Sequence, residues 1–287
     1  MNPGSQMPGS HDRSLAADLP RLVLLSVLGL LFLMPYIWMV SVSLKPLDEV
    51  WRASMSLIPE TFAIDKNYGR VFREVPIGRY LLNGAIVCFG ILVFQLAFAL
   101  PAGYALAKLN FRGRETLFAF VMLGLLIPAH VPAIPLYIAF AQTGILNTYA
   151  ALIAPSTISV FAIFMFRQFF RAMPDELIQA ARMDGLGEWS IVWRIIVPNA
   201  WPAATAFAIF SVVAHWNDLF WPLIAVSGKG ELATPALGVI YFRTEEAGDD
   251  FGALMAAATI TTIPLVAAFL LAQRRFIEGI TMTGLKG

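Results

Sequence analysis

MPDELIQAARMDGLGEWSIVWRIIVP, residues 173–198, separates two long apolar runs and yet carries Asp175, Glu176, Arg182, Asp184, Glu188 and Arg194. Charges at this density are too costly for a bilayer interior, so the segment folds beside the membrane rather than across it. Its local chemistry predicts two short helices around a glycine turn. Pro174 suits a first helical position, Asp175 and Glu176 favour a helix N-terminus, and Gly185 supplies the left-handed residue that ends a helix. The first helix is expected over Pro174–Asp184, with Asp175, Gln179 and Arg182 on one stripe and Leu177, Ile178 and Ala181 facing elsewhere. Ala180 and Ala181 leave room for close backbone approach. A second helix over Glu188–Val197 places Trp189, Val192, Trp193 and Ile196 on one side, an apolar stripe suited to a membrane interface, and Pro198 re-aims the chain into the next apolar run.

The rest of the 287 residues supplies the membrane. Apolar residues make up 58% and charged ones 14%, a balance outside the soluble range. A net charge of +1 gives no reason to expect nucleic acid. The single cysteine, Cys88, lies in an apolar run, which excludes an intrachain disulfide and any multi-cysteine metal site. A helix needs about 20 residues to cross ~30 Å of hydrocarbon. Uncharged runs of that length predict an all-α membrane protein with six spans: Leu22–Leu44, Tyr80–Ala107, a third from Leu117 broken by Pro128, Pro132 and Pro135, a fourth over Ala150–Phe170, Asn199–Val226 and Gly252–Gln273. Residues 132–145 are read as lying along the interface. The expected organisation is a disordered N-terminus over 1–20, a first span over 21–44, an outer loop over 45–79, a five-helix core over 80–273 containing the 173–198 loop, and a tail over 274–287.

Lys and Arg placement orients the chain. With both termini cytoplasmic, the short inner segments hold Arg13, Arg21, Lys108, Arg112, Arg114, Arg167, Arg171, Arg182, Arg194, Arg274, Arg275 and Lys286, twelve of the twenty basic residues. That orientation puts 173–198 on the cytoplasmic face.

Gln179-Ala180-Ala181, three residues, Gly185, nine residues, Ile195, one residue, Val197-Pro198 resembles the EAA loop of binding-protein-dependent ABC importer permeases. Gln179 stands where that family usually has Glu, and Val197 where it usually has Leu. The resemblance extends to Asn67-Tyr68 and Arg79–Asn83, to Trp216-Asn217-Asp218 with Trp221-Pro222-Leu223, and to Gln273–Phe276 with Gly284–Gly287, as in carbohydrate permeases of the maltose type. It implies a type I importer permease in a bacterial inner membrane whose cytoplasmic coupling helix, carried here by Glu176, Gln179, Ala180, Ala181, Arg182, Asp184, Gly185, Ile195 and Pro198, inserts into a separate ATPase. The implied partners are a homologous second permease subunit, two ATP-binding cassette subunits that hold the Mg-ATP, and an extracytoplasmic solute-binding protein that the acidic 227–251 loop approaches. Lys286 is a candidate contact to the ATPase dimer. The implied cargo is a sugar, oligosaccharide or related polyol, or else a non-sugar solute such as a glycerol phosphodiester or a sugar phosphate or sulfonate.

The residues themselves offer no catalytic constellation. Gly228-Lys229 is followed by Gly230, so there is no phosphate-binding Walker run and ATP is expected to be hydrolysed elsewhere. No cofactor or metal is expected in this chain. Ionisable groups inside a membrane suggest function, and those in the spans are His130, His215 and Asp218. His215 and Asp218, three apart, are expected to share a helix face and pair. In one reading His215, Trp216, Asn217 and Asp218, with His130 and Ser211, line a translocation cavity, where hydroxyls are held by polar groups and sugar faces by indoles. In the other, Asp218 and Asn217 cap a helix interrupted near Pro222, and the Trp residues belong to the interfacial belt. His215 and Asp218 as the relay of a proton-coupled carrier are the alternative from another class. Ser159, Thr259, Thr261 and Thr262 are further polar groups at mid-depth, and most such threonines bond their own backbone carbonyls.

Overall fold

The computed structural model describes residues 15–52, 56–226, 230–243 and 250–284, without the side chains of 15–18, 272 and 274–284. The expected disorder of 1–14, residues 227–229 and 244–249 of the acidic loop, and Lys286 lie outside the described residues. Every regular element among those described is helical. In chain order they are α1 (Leu15–Ser43), α2 (Leu47–Val50), α3 (Ile64–Glu74), α4 (Ile77–Lys108), α5 (Arg114–Leu126), α6 (Ala133–Thr143) and α7 (Tyr149–Ile153). A 3-10 turn (Ala154–Ser156) precedes α8 (Val160–Arg171), α9 (Asp175–Met183) and α10 (Glu188–Ile191). A π-helical segment (Val192–Ile196) then leads into α11 (Val197–Asn199), α12 (Trp201–Trp216), α13 (Phe220–Ala225), α14 (Pro235–Ile240) and α15 (Phe251–Gly284).

Among the described residues, three helices are individually long and apolar enough to cross a membrane: Leu19–Ser43 of α1, α4, and Phe251–Leu271 of α15. Two bent pairs bring the number to as many as five, Tyr149–Ser156 with Val160–Arg171 at 44° and Glu188–Asn199 with Trp201–Trp216 at 76°. The second bend falls at Ala200, just past Pro198, where the sequence re-aims the chain. The sequence pattern differs from the structure at four places. α1 begins at Leu15, inside the stretch expected to be disordered, and α15 runs past Gln273 to Gly284. α5 has 13 residues and stops before Pro128, about 20 Å of helix at 1.5 Å per residue. The run over Asn199–Val226 is two helices, because α12 ends at Trp216 and α13 starts at Phe220.

Two apolar clusters hold the bundle. One surrounds Val71, Tyr80, Ile91, Leu152, Leu237 and Ala256, and the other surrounds Leu100, Tyr104, Phe166, Phe170, Ile191, Ile196 and Phe207. α4 is the common wall of both. Its closest partner is α8, and Gly103 is what lets them touch: a Cβ there would stand 2.9 Å from Cβ of Phe166 and 3.1 Å from the backbone nitrogen of Arg167. Small residues at such crossings let backbones approach where no water-driven force pulls helices together. By contrast α5 buries no residue, and α1 is exposed from Leu19 to Trp38, its burial confined to the end at Ser41–Ser43.

Candidate functional site

Unpaired backbone is tolerated at membrane depth only where protein buries it or where it lines a cavity. The breaks at 127–132, 157–159 and 217–219 all open on one cavity of about 900 Å³. His130 and Pro132 reach it from the first break, Ser156 and Ser159 from the second, and Asn217, Asp218 and Phe220 from the third. Gln95 of α4 and His215 of α12 complete its polar wall.

Hydrogen bonds fix most of these groups. Buried Gln95 donates from Nε2 to the carbonyl of Ser156 at 2.9 Å and accepts from Oγ of Ser211 at 2.6 Å. Nδ1 of His215 lies 2.7 Å from the carbonyl oxygen of Ser211. A carbonyl only accepts, so Nδ1 carries a hydrogen, and Nε2 has no partner among the described residues. Asp218 accepts from the backbone nitrogen of Trp221 at 3.3 Å, a cap on the first turn of α13. Asn217 donates to the carbonyl of Val213 at 2.8 Å. The ring of His130 meets Phe220 edge-on at 4.4 Å.

Four of the six expected pathway residues, His130, His215, Asn217 and Asp218, therefore share the cavity wall. Ser211 is buried behind it and acts through Gln95 and His215. Trp216 is elsewhere: its indole is buried and donates to the carbonyl of Thr261 at 3.0 Å, fastening α12 to α15. The side chains of His215 and Asp218 bond to different groups and do not pair, because α12 ends at Trp216 and the three-residue spacing no longer keeps one helix face. The hydroxyls of Thr259, Thr261 and Thr262 donate to carbonyls three or four residues back on their own helix. Gln95 is the residue that sequence reasoning missed. An amide deep inside the uncharged run of α4, twelve residues past Asn83, was its signal.

A second constellation lies on the 173–198 loop, at the opposite end of α12. α9 ends in a paired turn: Gly185 at φ 81° donates to the carbonyl of Arg182 at 3.0 Å, and Leu186 donates to that of Ala181 at 3.1 Å. Ile178 and Ala181 pack into the core while Glu176, Leu177, Gln179, Ala180, Met183 and Asp184 face outward. Met183 is the most open of the apolar ones, at 87%. The second helix is not a single apolar stripe. The π-helical segment shifts the register, so Val192 and Ile196 are buried while Trp189 and Trp193 are exposed. Ile195 is half-buried and Pro198 exposed.

Polar contacts pin this loop to α4. Lys108 donates to the carbonyl of Met173 at 2.6 Å and to Asp175 at 2.5 Å. Glu188 accepts from the Tyr104 hydroxyl at 2.7 Å and from Nε of Arg182 at 2.9 Å. Desolvation raises the pKa of Glu188, but the hydrogen bonds from Arg182 and Tyr104 and the charge of Arg182 outweigh it and leave the carboxyl below its ordinary range. Those same contacts hold the Arg182 guanidinium above its own. Arg182 thus spends its charge within the chain, on a glutamate the motif did not single out.

Residues 99–281 match the family model described as binding-protein-dependent transport system inner membrane component. The chain belongs to that family. It is 33% identical over 256 residues to the arabinooligosaccharides transport system permease protein AraQ of Halalkalibacterium halodurans, covering 88% of this chain and 91% of that protein. It is 28% identical to the diacetylchitobiose uptake system permease protein NgcG of Streptomyces coelicolor, covering 95% and 89%, and 31% identical to the sn-glycerol-3-phosphate transport system permease protein UgpE of Yersinia pestis, covering 90% and 94%. These relatives are transport permeases, not enzymes. The permease also shares its fold with a chain from the crystal structure of a bacterial ABC transporter involved in the import of the acidic polysaccharide alginate, with TM-score 0.77, 21% identity, and coverage of 94% of this chain and 100% of that one.

Proposed function

We propose that the permease is one of two transmembrane subunits of an ATP-driven importer, and that its cargo is a sugar or oligosaccharide. Family membership supports the transport role, and the names of AraQ and NgcG support the cargo. The observation that carries the pathway is the cavity at the three breaks. It combines an apolar wall of Phe161, Phe220 and Trp221 with the hydrogen-bonding groups of Gln95, His215, Asn217 and Asp218, a mixture suited to a sugar ring with its hydroxyls.

Six crossings fit the chain: α1, α4, α5 with the proline segment after it, α7–α8, α12–α13 and α15. Both termini then lie in the cytoplasm of a bacterial cell whose inner membrane holds the complex. The outward face of α9, from Glu176 to Asp184, is the coupling helix and docks on a cassette ATPase. ATP-driven closure of two such subunits moves α9, and the contacts of Glu188 and Lys108 transmit that movement to α4, whose Gln95 lies in the cavity wall. A second, homologous permease supplies the other half of the pathway, and an extracytoplasmic binding protein delivers the solute.

The test is uptake of labelled arabino-oligosaccharide into proteoliposomes holding the permease with its second permease, ATPase and binding protein. Uptake that requires ATP and is abolished when the ATPase is omitted supports the reading. Uptake driven by a pH gradient with no ATPase present would sink it and favour the proton-coupled carrier.

A further inference from the structure

Where α4 and α8 end and α5 begins, the chain forms a second cavity, of about 470 Å³, lined by Lys108, Arg114, Arg167 and Arg171 against Glu115 and Asp175. Four cations face two carboxylates. Two of the cations are deeply placed, with side-chain exposures of 5% for Arg167 and 7% for Lys108. The positive-inside tendency of membrane proteins asks only for basic residues near the surface and gives no reason to bury them around an opening.

The existing contacts leave charge uncompensated. Glu115 is shared between Arg167 at 3.3 Å and Arg114 at 3.0 Å, and Asp175 is taken by Lys108. Arg167 is also held by the carbonyl of Leu106 at 3.2 Å and by the ring of Phe118, 3.5 Å from the guanidinium carbon. Arg171, exposed on the rim, makes no hydrogen bond or ion pair among the described residues. Directly beside this pocket rises α5, which buries nothing. Leu117, Phe120 and Leu123, at three-residue spacing, form an exposed apolar stripe that starts one turn from Arg114.

We propose that this pocket binds the phosphodiester of an anionic phospholipid, with an acyl chain along the Leu117–Leu123 stripe. Phosphate oxygens accept charge-assisted hydrogen bonds from Arg171 and Arg114, and basic pockets between membrane helices suit such headgroups. The site adjoins the α9 loop through Asp175 and Lys108, so an occupied pocket braces the junction between α8 and α9. The proposal stands on the pocket alone and does not depend on the cargo or on which side of the membrane the loop faces.

The experiment uses the assembled complex in nanodiscs of phosphatidylcholine with added phosphatidylglycerol, followed by transfer to detergent and native mass spectrometry of the retained lipid. Selective retention of phosphatidylglycerol is expected, falling about fivefold in Arg171→Gln, the worth of one cation beside an anionic headgroup. Arg112→Gln, an exposed cation outside the pocket, is expected to leave retention unchanged. Arg171 has no partner among the described residues, so its variant should assemble normally. Equal loss in both variants, or no preference over phosphatidylcholine, overturns the proposal. Displacement of the lipid by millimolar inorganic phosphate would assign the pocket to a free anion and overturn the lipid reading.

Discussion

Gly185 and Glu188 show how differently two residues of one loop depend on their surroundings. Gly185 at φ 81° has open space where a Cβ would go, so a substitution there acts through backbone strain alone. Gly185→Val should cost roughly 1–2 kcal/mol at that turn and uncouple transport while membrane insertion stays intact. Solute-stimulated ATPase activity of the reconstituted complex checks this, and unchanged coupling would remove Gly185 from the proposed coupling surface. Its meaning was legible in the sequence because a glycine after ten helical residues has one dominant physical use. Glu188 was not legible, since its anchor Tyr104 is 84 residues away and nothing local marks the pair. Its carboxyl titrates below its ordinary value, so the stability it contributes is fully present above the unfolded-state value of about 4.3 and is lost as pH falls through the lower, folded-state one. At neutral pH the contact is therefore intact, and Glu188→Gln should lower the amide protection factors of Gly187–Ile191. The wild type should show that loss only in acid. Equal protection in variant and wild type at pH 7 would mean that the charge contributes nothing to the anchor.

At the scale of elements, the sequence specifies long helices well and their interruptions poorly. α1, α4 and α15 follow directly from apolar runs whose prolines, Pro35, Pro101 and Pro264, sit inside continuous helix. The breaks after Ser156 and Trp216 escape a hydropathy count because the residues that cause them, Ser159 and Asp218, cap the next helix with one oxygen each and barely alter a window average. Those breaks make the cavity, which explains why its lining was only partly foreseen. Helix crossings are equally hidden, as Gly103 illustrates. Valine there should destabilise the bundle by about 1–3 kcal/mol, because the atoms it would meet include the backbone of Arg167, which cannot rotate away. Gly29→Val on α1, where a Cβ would meet nothing within 4 Å, is the matched control. Thermal unfolding in detergent should separate the two variants, and similar midpoints would mean that α4 and α8 have slack to part.

For the whole molecule, the decisive property is which end of the bundle faces which solvent. The outward face of α9 and the loop after α1 lie at opposite ends, each with an open apolar side chain: Met183 at 87% exposure and Ile58 at 76%. The single native thiol, Cys88, is 4% exposed and bonds toward the carbonyl of Val212, so it leaves a quiet background for thiol labelling. A membrane-impermeant maleimide should label Met183→Cys in inside-out vesicles and Ile58→Cys in right-side-out ones. The reverse pattern would invert the orientation and leave α9 without access to a cytoplasmic ATPase. Adding the ATPase carries the test further. A helix face that docks into a protein cleft loses solvent access, so labelling of Met183→Cys should slow at least several-fold on assembly, while Ile58→Cys is unaffected. Full labelling of Met183→Cys in an assembled, ATP-hydrolysing complex would separate α9 from the docking surface and require the ATPase to engage the chain through Trp189 and Trp193 instead.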